Sequence, residues 1–266
     1  MLGLILGEIS KPPEGFKPPG VEIFDYTKSC LVGSGSYCMT KISLLMILSC
    51  VIIGVLFVIA FSKPKLVPRG LQNAVEALID LIRESIVMEV MGPDGLPFLP
   101  FLTSLFVFIW INNLFGILPF AQIPTTSRMA IPAMLAIMVW FVFNIVGIKK
   151  QGGGHYLKGV LFPPGVPTAI YLLVTPIEFV SVFIVRPLTL AVRLAANMIA
   201  GHLILTIFFL GTWYLQWKLV TIPFAAASFA LGVFITGFEV LVGVLQAYIF
   251  TILTAVYISG AIHPEH

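Results

Sequence analysis

Charge is what this sequence has least of. Its 266 residues carry 15 Lys and Arg and 12 Asp and Glu, 10% of the chain. An ordinary soluble domain carries about 25%. That scarcity excludes a soluble globular enzyme, a disordered protein and a nucleic-acid binder reading bases through a basic face. The net charge of +3 is too small to argue for a polyanionic partner. Three cysteines are too few for a disulfide scaffold. A Gly-rich phosphate loop followed by Lys and Ser or Thr is missing, and so is any internal repeat of fixed period. What is there is apolar: 59% hydrophobic residues and a mean hydropathy of +1.05. The class is a polytopic membrane protein, and function is to be sought at the few charges placed inside apolar runs. From Phe98 to the end only ten charged side chains remain.

A spanning helix needs roughly 20 apolar residues. Ile42 to Phe61 is one such run, Phe98 to Pro119 a second, and Met129 to Ile148 a third. Lys63, Lys65 and Arg69 follow the first span, and Lys149 and Lys150 close the third. The positive-inside bias puts those ends in the cytoplasm and the N-terminus outside. Pro167 to Tyr214 and Val220 to Ile262 are longer. As helices each would exceed about 60 Å, twice the hydrocarbon core. Each either breaks into two spans or lies strongly inclined. No charged turn breaks either stretch in the middle, and only Pro176 and Pro187 punctuate the first, which favours an inclined hairpin turning around Lys218 with its C-terminus, His263–His266, cytoplasmic. Trp213, Tyr214 and Trp217 beside the turn fit an aromatic belt.

The expected fold is therefore all-α, with about five membrane helices plus a cytoplasmic amphipathic helix over 70–91. In that helix Val75, Leu78, Ile79, Ile82 and Ile86 share a stripe, opposite Glu76, Asp80 and Glu84. A solvated surface helix is the plain reading of it, a docking face for other subunits the functional one. Residues 1–41 read as an extracytoplasmic segment and 42–266 as the membrane domain, with the hairpin over 167–262. Cys30 and Cys38 flank a Gly/Ser loop on the oxidising side, a placement compatible with a disulfide. Cys50 falls inside the first span.

Five ionisable side chains sit in the hairpin: Glu178, Arg186, Arg193, His202 and Glu239. Each costs about 2.5–3.5 kcal/mol on insertion scales, so five of them point to an ion path. Helical spacing puts Arg193 and Asn197 one turn apart, His202 about half a turn away, and Glu239 and Gln246 on one face. An antiparallel hairpin brings His202 and Glu239 to the same level, where they can pair, and sends Glu178 to the other side of Arg193. Polar groups then approach Arg193 from both sides without forming one file. A continuous file would dissipate a gradient. Two offset half-paths around a fixed cation conduct only if a carrier ferries the proton between them, and Arg keeps its charge at any working pH. Structural alternatives stand beside these roles. Arg186 and Glu178 can simply neutralise each other, His202 can be a satisfied core histidine, and Gln246, Asn112 and Asn113 can be interhelical glue. Gly201 and Gly232 read as close-packing positions.

The run Arg186-Pro-Leu-Thr-Leu-Ala-Val-Arg193-Leu-Ala-Ala-Asn197-Met-Ile-Ala-Gly201-His202 resembles the signature of subunit a of F-type ATP synthases. So does the run from Leu245-Gln246 through Phe250, Thr254 and Tyr257 to Ser259, and Asn112-Asn113-Leu-Phe-Gly-Ile-Leu-Pro119 resembles the second-span pattern. The similarity extends from about residue 42 to the C-terminus, and the wording is most like actinobacterial members. It implies a stationary proton channel against a rotating ring of c subunits. Arg193 matches the essential arginine and Asn197 the Asn beyond it. His202 and Glu239 match an acid–histidine pair found in either order, and Gln246 the glutamine opposite the arginine. Glu178 and Ser181 resemble inner half-path residues, at a spacing from Arg193 one residue longer than usual. Gly116 stands where some members carry an acid, leaving the outer path to Asn113, His202 and Glu239. The implied partners are the c-ring, b subunits and other Fo and F1 subunits, lipid and protons, in a bacterial plasma membrane. No cofactor, metal or nucleic acid is implied, and this chain holds no nucleotide site. Two other classes compete: a self-contained secondary transporter, which predicts inverted repeats, and a haem or quinone subunit, which needs two intramembrane histidines where only His202 qualifies.

Overall fold

The computed structural model describes residues 20, 30–32, 39–62, 69–118, 125–162, 170–217 and 219–262. Cys38, Lys63, Lys65, Pro119, Lys218 and His263–His266 lie outside the described residues, as does most of the segment before the first span. Within that segment β1 (Cys30–Val32) pairs antiparallel with β2 (Met39–Thr40). The rest is helical, and five helical stretches are long and apolar enough to cross a membrane.

Helix α1 spans Lys41–Phe61. Thr40 starts it by accepting from the Ser43 N–H, and the Ser43 hydroxyl returns a bond to the Thr40 carbonyl at 2.8 Å. Leu44, Ile47, Val51, Val55 and Val58 are exposed along it. Apolar side chains left open in this number belong against lipid rather than water.

Helix α2 (Leu71–Ile82) runs on through wide π-helical turns at Arg83–Met91 into a 3-10 segment, Gly92–Phe98. Gly70 at φ +66 and Gly92 at φ +65 bracket this segment, in a left-handed conformation that glycine adopts without strain. The chain folds back there: a Cβ on Gly95 would lie 2.5 Å from Met91 Cβ and 2.9 Å from Val87 Cγ1. Helix α3 (Leu99–Ile117) then makes the second span. The stripe expected on the amphipathic helix is present, but it is not a solvated surface feature. Val75 is buried, and Ile82, Ile86, Val87 and Met91 are buried in the main core. The Ser259 hydroxyl donates to the Val90 carbonyl at 3.0 Å. Asp80 and Glu84 stay exposed. The apolar face docks onto this chain's own last helix, which local periodicity cannot reveal.

Helix α4 (Ala130–Gln151) is the third span. Lys149 and Lys150 lie in its last turn, where the helix dipole favours cations, and Gly152 at φ +83 ends it. A short helix, α5 (Gly153–Leu161), follows. Helix α6 (Tyr171–Val180) passes through one π-helical stretch, Ser181–Val185, into α7 (Arg186–Leu215). Helix α8 is unbroken over Ile222–Ile262, 41 residues. At ~1.5 Å per residue it is about 60 Å long. Of the two arrangements the sequence left open for the long stretches, one continuous helix each is the one adopted.

Helices α7 and α8 form an antiparallel hairpin, closed by the Thr221 hydroxyl donating to the Leu215 carbonyl. Ser228 donates to the Phe208 carbonyl at 2.8 Å, and Phe209 stacks edge-on to Phe229. Gly232 packs on Phe208 and Phe209, and Arg186 lies over the Tyr257 ring, 5.3 Å from its centroid. Contacts step back along α7 as they step forward along α8, so the register holds from the turn to Arg186. The core joins α2, α3, α4 and the C-terminal half of α8, through Ile82, Ile86, Leu102, Ile109, Val139, Phe143, Phe250 and Ile258. The opposite side of the hairpin is open: Leu188, Val192, Ile204, Phe234, Phe238 and Leu241 are all exposed.

The fold-back at Gly95 has a direct test. Gly95→Ala lowers stability by about 1–3 kcal/mol through overpacking, read as the denaturant midpoint of the purified protein. Gly54→Ala, where an added Cβ meets nothing within 4 Å and alanine is the better helix former, does not lower the midpoint.

Candidate functional site

Arg193 is exposed on α7. Thr189, Ala196 and Ala200 share its stripe, Leu188 and Val192 extend the exposed side beyond it, and all five are exposed and, apart from Thr189, apolar. Leu190, Leu194 and Met198 on the other side of the helix are buried. Among the described residues the single ion pair joins Arg186 and Glu178, so Arg193 has no carboxylate partner there. An always-charged side chain set in an apolar face is costly in lipid unless something screens it. The hairpin register puts Arg193 level with Gln246 and Ala247.

Glu239, Gly243 and Gln246 form one buried stripe on α8, the shared face that their seven-residue spacing predicts. Glu239 and Gln246 are 7% and 6% exposed. Neither Glu239 oxygen, nor Gln246 Nε2, has a hydrogen-bond partner among the described residues. Polar groups buried this fully without a partner are expensive. The hairpin does bring His202 and Glu239 to one level. No hydrogen bond joins them, because the Glu239 side chain lies against Gly201 instead: a Cβ there would be 2.7 Å from Oε1. Gly201, which reads from sequence as a packing position, is thus the notch that admits the carboxyl group. His202 is half-buried and its carbonyl accepts from the Thr206 hydroxyl at 2.7 Å.

Asn113 belongs to the same neighbourhood. Its Nδ2 donates to the Gly243 carbonyl at 3.1 Å and its Oδ1 accepts from Thr126 at 3.0 Å. Asn112 turns the other way, donating to Ser49 Oγ on α1 at 3.2 Å and accepting from Thr125 at 2.9 Å. Both amides hold helices together, as one of the two readings of them expects. Thr125 and Thr126 carry no pattern that singles them out in the sequence.

On the other side of Arg193, Glu178 Oε1 lies 3.8 Å from Arg186 Nη2, with both side chains 34% exposed. Eight positions separate them. In a regular α-helix that is about 80° off a common face. The intervening π-helical stretch holds one residue more per turn, which returns Arg186 to the Glu178 side. Ser181 opens it and is half-buried; Asn197, one turn beyond Arg193, is half-buried too. Next to Arg186 stands Tyr156 of α5, buried, donating to Asn144 Oδ1 at 3.2 Å and filling the notch at Gly147. Burial pushes its phenol up, and the Arg186 guanidinium offsets part of that rise. Arg186 and Glu178 are therefore paired, while Arg193, Gln246 and Glu239 are left open.

A family model described as ATP synthase A chain matches residues 43–259. The ATP synthase subunit a of Frankia alni is 44% identical over 257 residues, 95% of this chain and 89% of that protein. That of Rhodococcus erythropolis is 42% identical, covering 94% and 92%. That of Streptomyces lividans is 39% identical, covering 95% and 90%. All three are actinobacterial, as the wording of the motifs suggests.

The Tyr156 environment fixes the sign of a pH effect. Its folded phenol titrates above the ordinary value of 10. The stability tied to the neutral phenol is complete below pH 10 and is lost as pH rises through the raised value. Tyr156→Phe, which has no phenol to ionise, loses less stability than the parent between neutral pH and pH values above 10, measured by denaturant midpoints across that range.

Proposed function

Because the chain belongs to the ATP synthase A chain family, we propose that it conducts protons through two offset half-paths separated by Arg193, in the membrane sector of an F-type ATP synthase. The observation that carries this reading is a single one. A permanently charged Arg193 stands on an open apolar face, level with Gln246, with unpaired Glu239 to one side and the Glu178–Arg186 pair to the other.

The occupant of that face is a ring of c subunits whose carboxyl groups pass Arg193 in turn. Protons enter from outside past Asn113, His202 and Glu239. They neutralise a ring carboxylate, which can then leave Arg193 and face lipid. After almost a full revolution the carboxylic acid returns to the guanidinium from the other side. A nearby cation favours the ionised form, so the proton is released into the inner path at Glu178 and Ser181. Gln246, level with Arg193, belongs to the outer path, Asn197 holds the arginine region in place, and Arg186 positions Glu178. The chain is a channel subunit and makes no ATP itself; rotation drives the synthesis elsewhere in the complex.

The length of α8 supports the inclined placement. At about twice the hydrocarbon thickness, α8 and the continuous helix running from α6 through α7 lie obliquely along the ring rather than across the bilayer. The N-terminus is then outside and the C-terminus cytoplasmic. The remaining partners are the b subunits and neighbouring Fo and F1 subunits. Protons, rather than sodium, are the transported ion.

Arg193→Ala should abolish ATP-driven proton pumping by inverted vesicles while the complex still assembles; retained pumping would sink the assignment. Gly201→Ala pushes the Glu239 carboxyl group out of its notch, and pumping per assembled complex falls by about tenfold. Gly54→Ala on α1, away from the hairpin, is the control, since an added Cβ there meets nothing within 4 Å, and it pumps like the parent.

A further inference from the structure

Two adjacent asparagines near the C-terminal end of α3 meet two adjacent threonines in a 3-10 turn, Thr125–Ser127. Thr125 Oγ1 donates to Asn112 Oδ1 at 2.9 Å and Thr126 Oγ1 to Asn113 Oδ1 at 3.0 Å. Asn113 is 2% exposed and the other three are fully buried. The chemistry of the two pairs is the same, but their direction is not. Consecutive helical residues point about 100° apart. Asn112 Nδ2 therefore reaches Ser49 on α1, whereas Asn113 Nδ2 reaches the Gly243 carbonyl on α8.

Gly243 lies one turn after Glu239 and one turn before Gln246, on the same buried stripe. Its lack of a side chain lets α3 approach: a Cβ there would be 3.4 Å from Asn113 Cβ. A carbonyl only accepts and a threonine hydroxyl can donate, so the Asn113 amide is satisfied in one orientation, nitrogen toward Gly243 and oxygen toward Thr126. We propose that Thr126 is a positioning residue of the outer proton path. By holding the Asn113 oxygen it fixes the amide on Gly243, and so holds α8 at the rotation that turns Glu239 and Gln246 inward. This rests on the reading of Asn113, Glu239 and Gln246 as the outer path. Thr125 anchors the same turn but acts on α1, so it separates positioning from simple anchoring.

The test is ATP-driven pumping by inverted vesicles, normalised to assembled complex. Thr126→Val keeps the shape, loses the donor and pumps about tenfold slower. Thr126→Ser restores the donor and pumps within about twofold of the parent, as does Thr125→Val. In an Asn113→Ala background, Thr126→Val adds no further loss, because Thr126 acts through Asn113. Should Thr126→Val fail to assemble, Thr126→Cys takes its place, since a thiol is a weak donor and must show the same selective loss. Parental rates in the variant lacking the donor, equal losses from Thr125→Val and Thr126→Val, or a further loss in the Asn113→Ala background would each overturn the assignment. A parent vesicle that does not pump would instead defeat the functional reading beneath it.

Discussion

A guanidinium cannot shed its proton, and hydrocarbon cannot solvate it. That constraint organises the hairpin. Arg193 stands in a stripe of exposed apolar residues with no carboxylate beside it among the described residues. Arg186, seven positions earlier, has both Glu178 and the Tyr257 ring. The contrast between a neutralised arginine and an open one, on one helix, is what separates scaffold from site. On the proposed reading, the open cation meets the ring's carboxylates as they come and go.

The remaining polar groups are arranged around that vacancy of charge by packing rather than by direct bonds to it. Glycines carry much of this. Gly201 admits the Glu239 carboxyl group, Gly243 admits Asn113, and Gly232 seats Phe208 and Phe209. Each lets two helices approach closely enough for backbone and side chain to fix the register. The π-helical stretch at Ser181–Val185 does comparable work along a single helix, restoring the phase between Glu178 and Arg186. The hairpin's position relative to α1, α3 and the turn at Thr125–Ser127 depends on amide and hydroxyl pairs, which stay directional where apolar contacts do not.

Hydropathy made the spans legible. The runs Ile42–Phe61, Phe98–Pro119, Met129–Ile148 and Val220–Ile262 differ by no more than a few residues from the helices that form. A membrane helix announces itself by length and composition alone. The face shared by Glu239 and Gln246 was legible for a similar reason, since seven residues make about two turns. Contacts between segments distant in sequence were not. Nothing local says that Glu239 lies against Gly201 rather than bonding to His202, or that Thr126 meets Asn113. The amphipathic helix was seen, yet its partner was not, because an apolar stripe records that something covers it and not what. Tyr156 was missed because one aromatic residue in a Gly-rich stretch carries no periodic signal.

On the proposed reading the Arg193 stripe, and not the buried side of α7, is covered by a ring of c subunits. Cysteine crosslinking in native membranes tests it most directly. Single cysteines placed at Ala196 and Ala200, on the Arg193 stripe, should crosslink to c subunits carrying a cysteine beside their carboxyl group. Cysteines at the buried positions Leu194 and Met198 should not. Crosslinks from the buried positions, or none from the stripe in assembled complexes, would contradict the account.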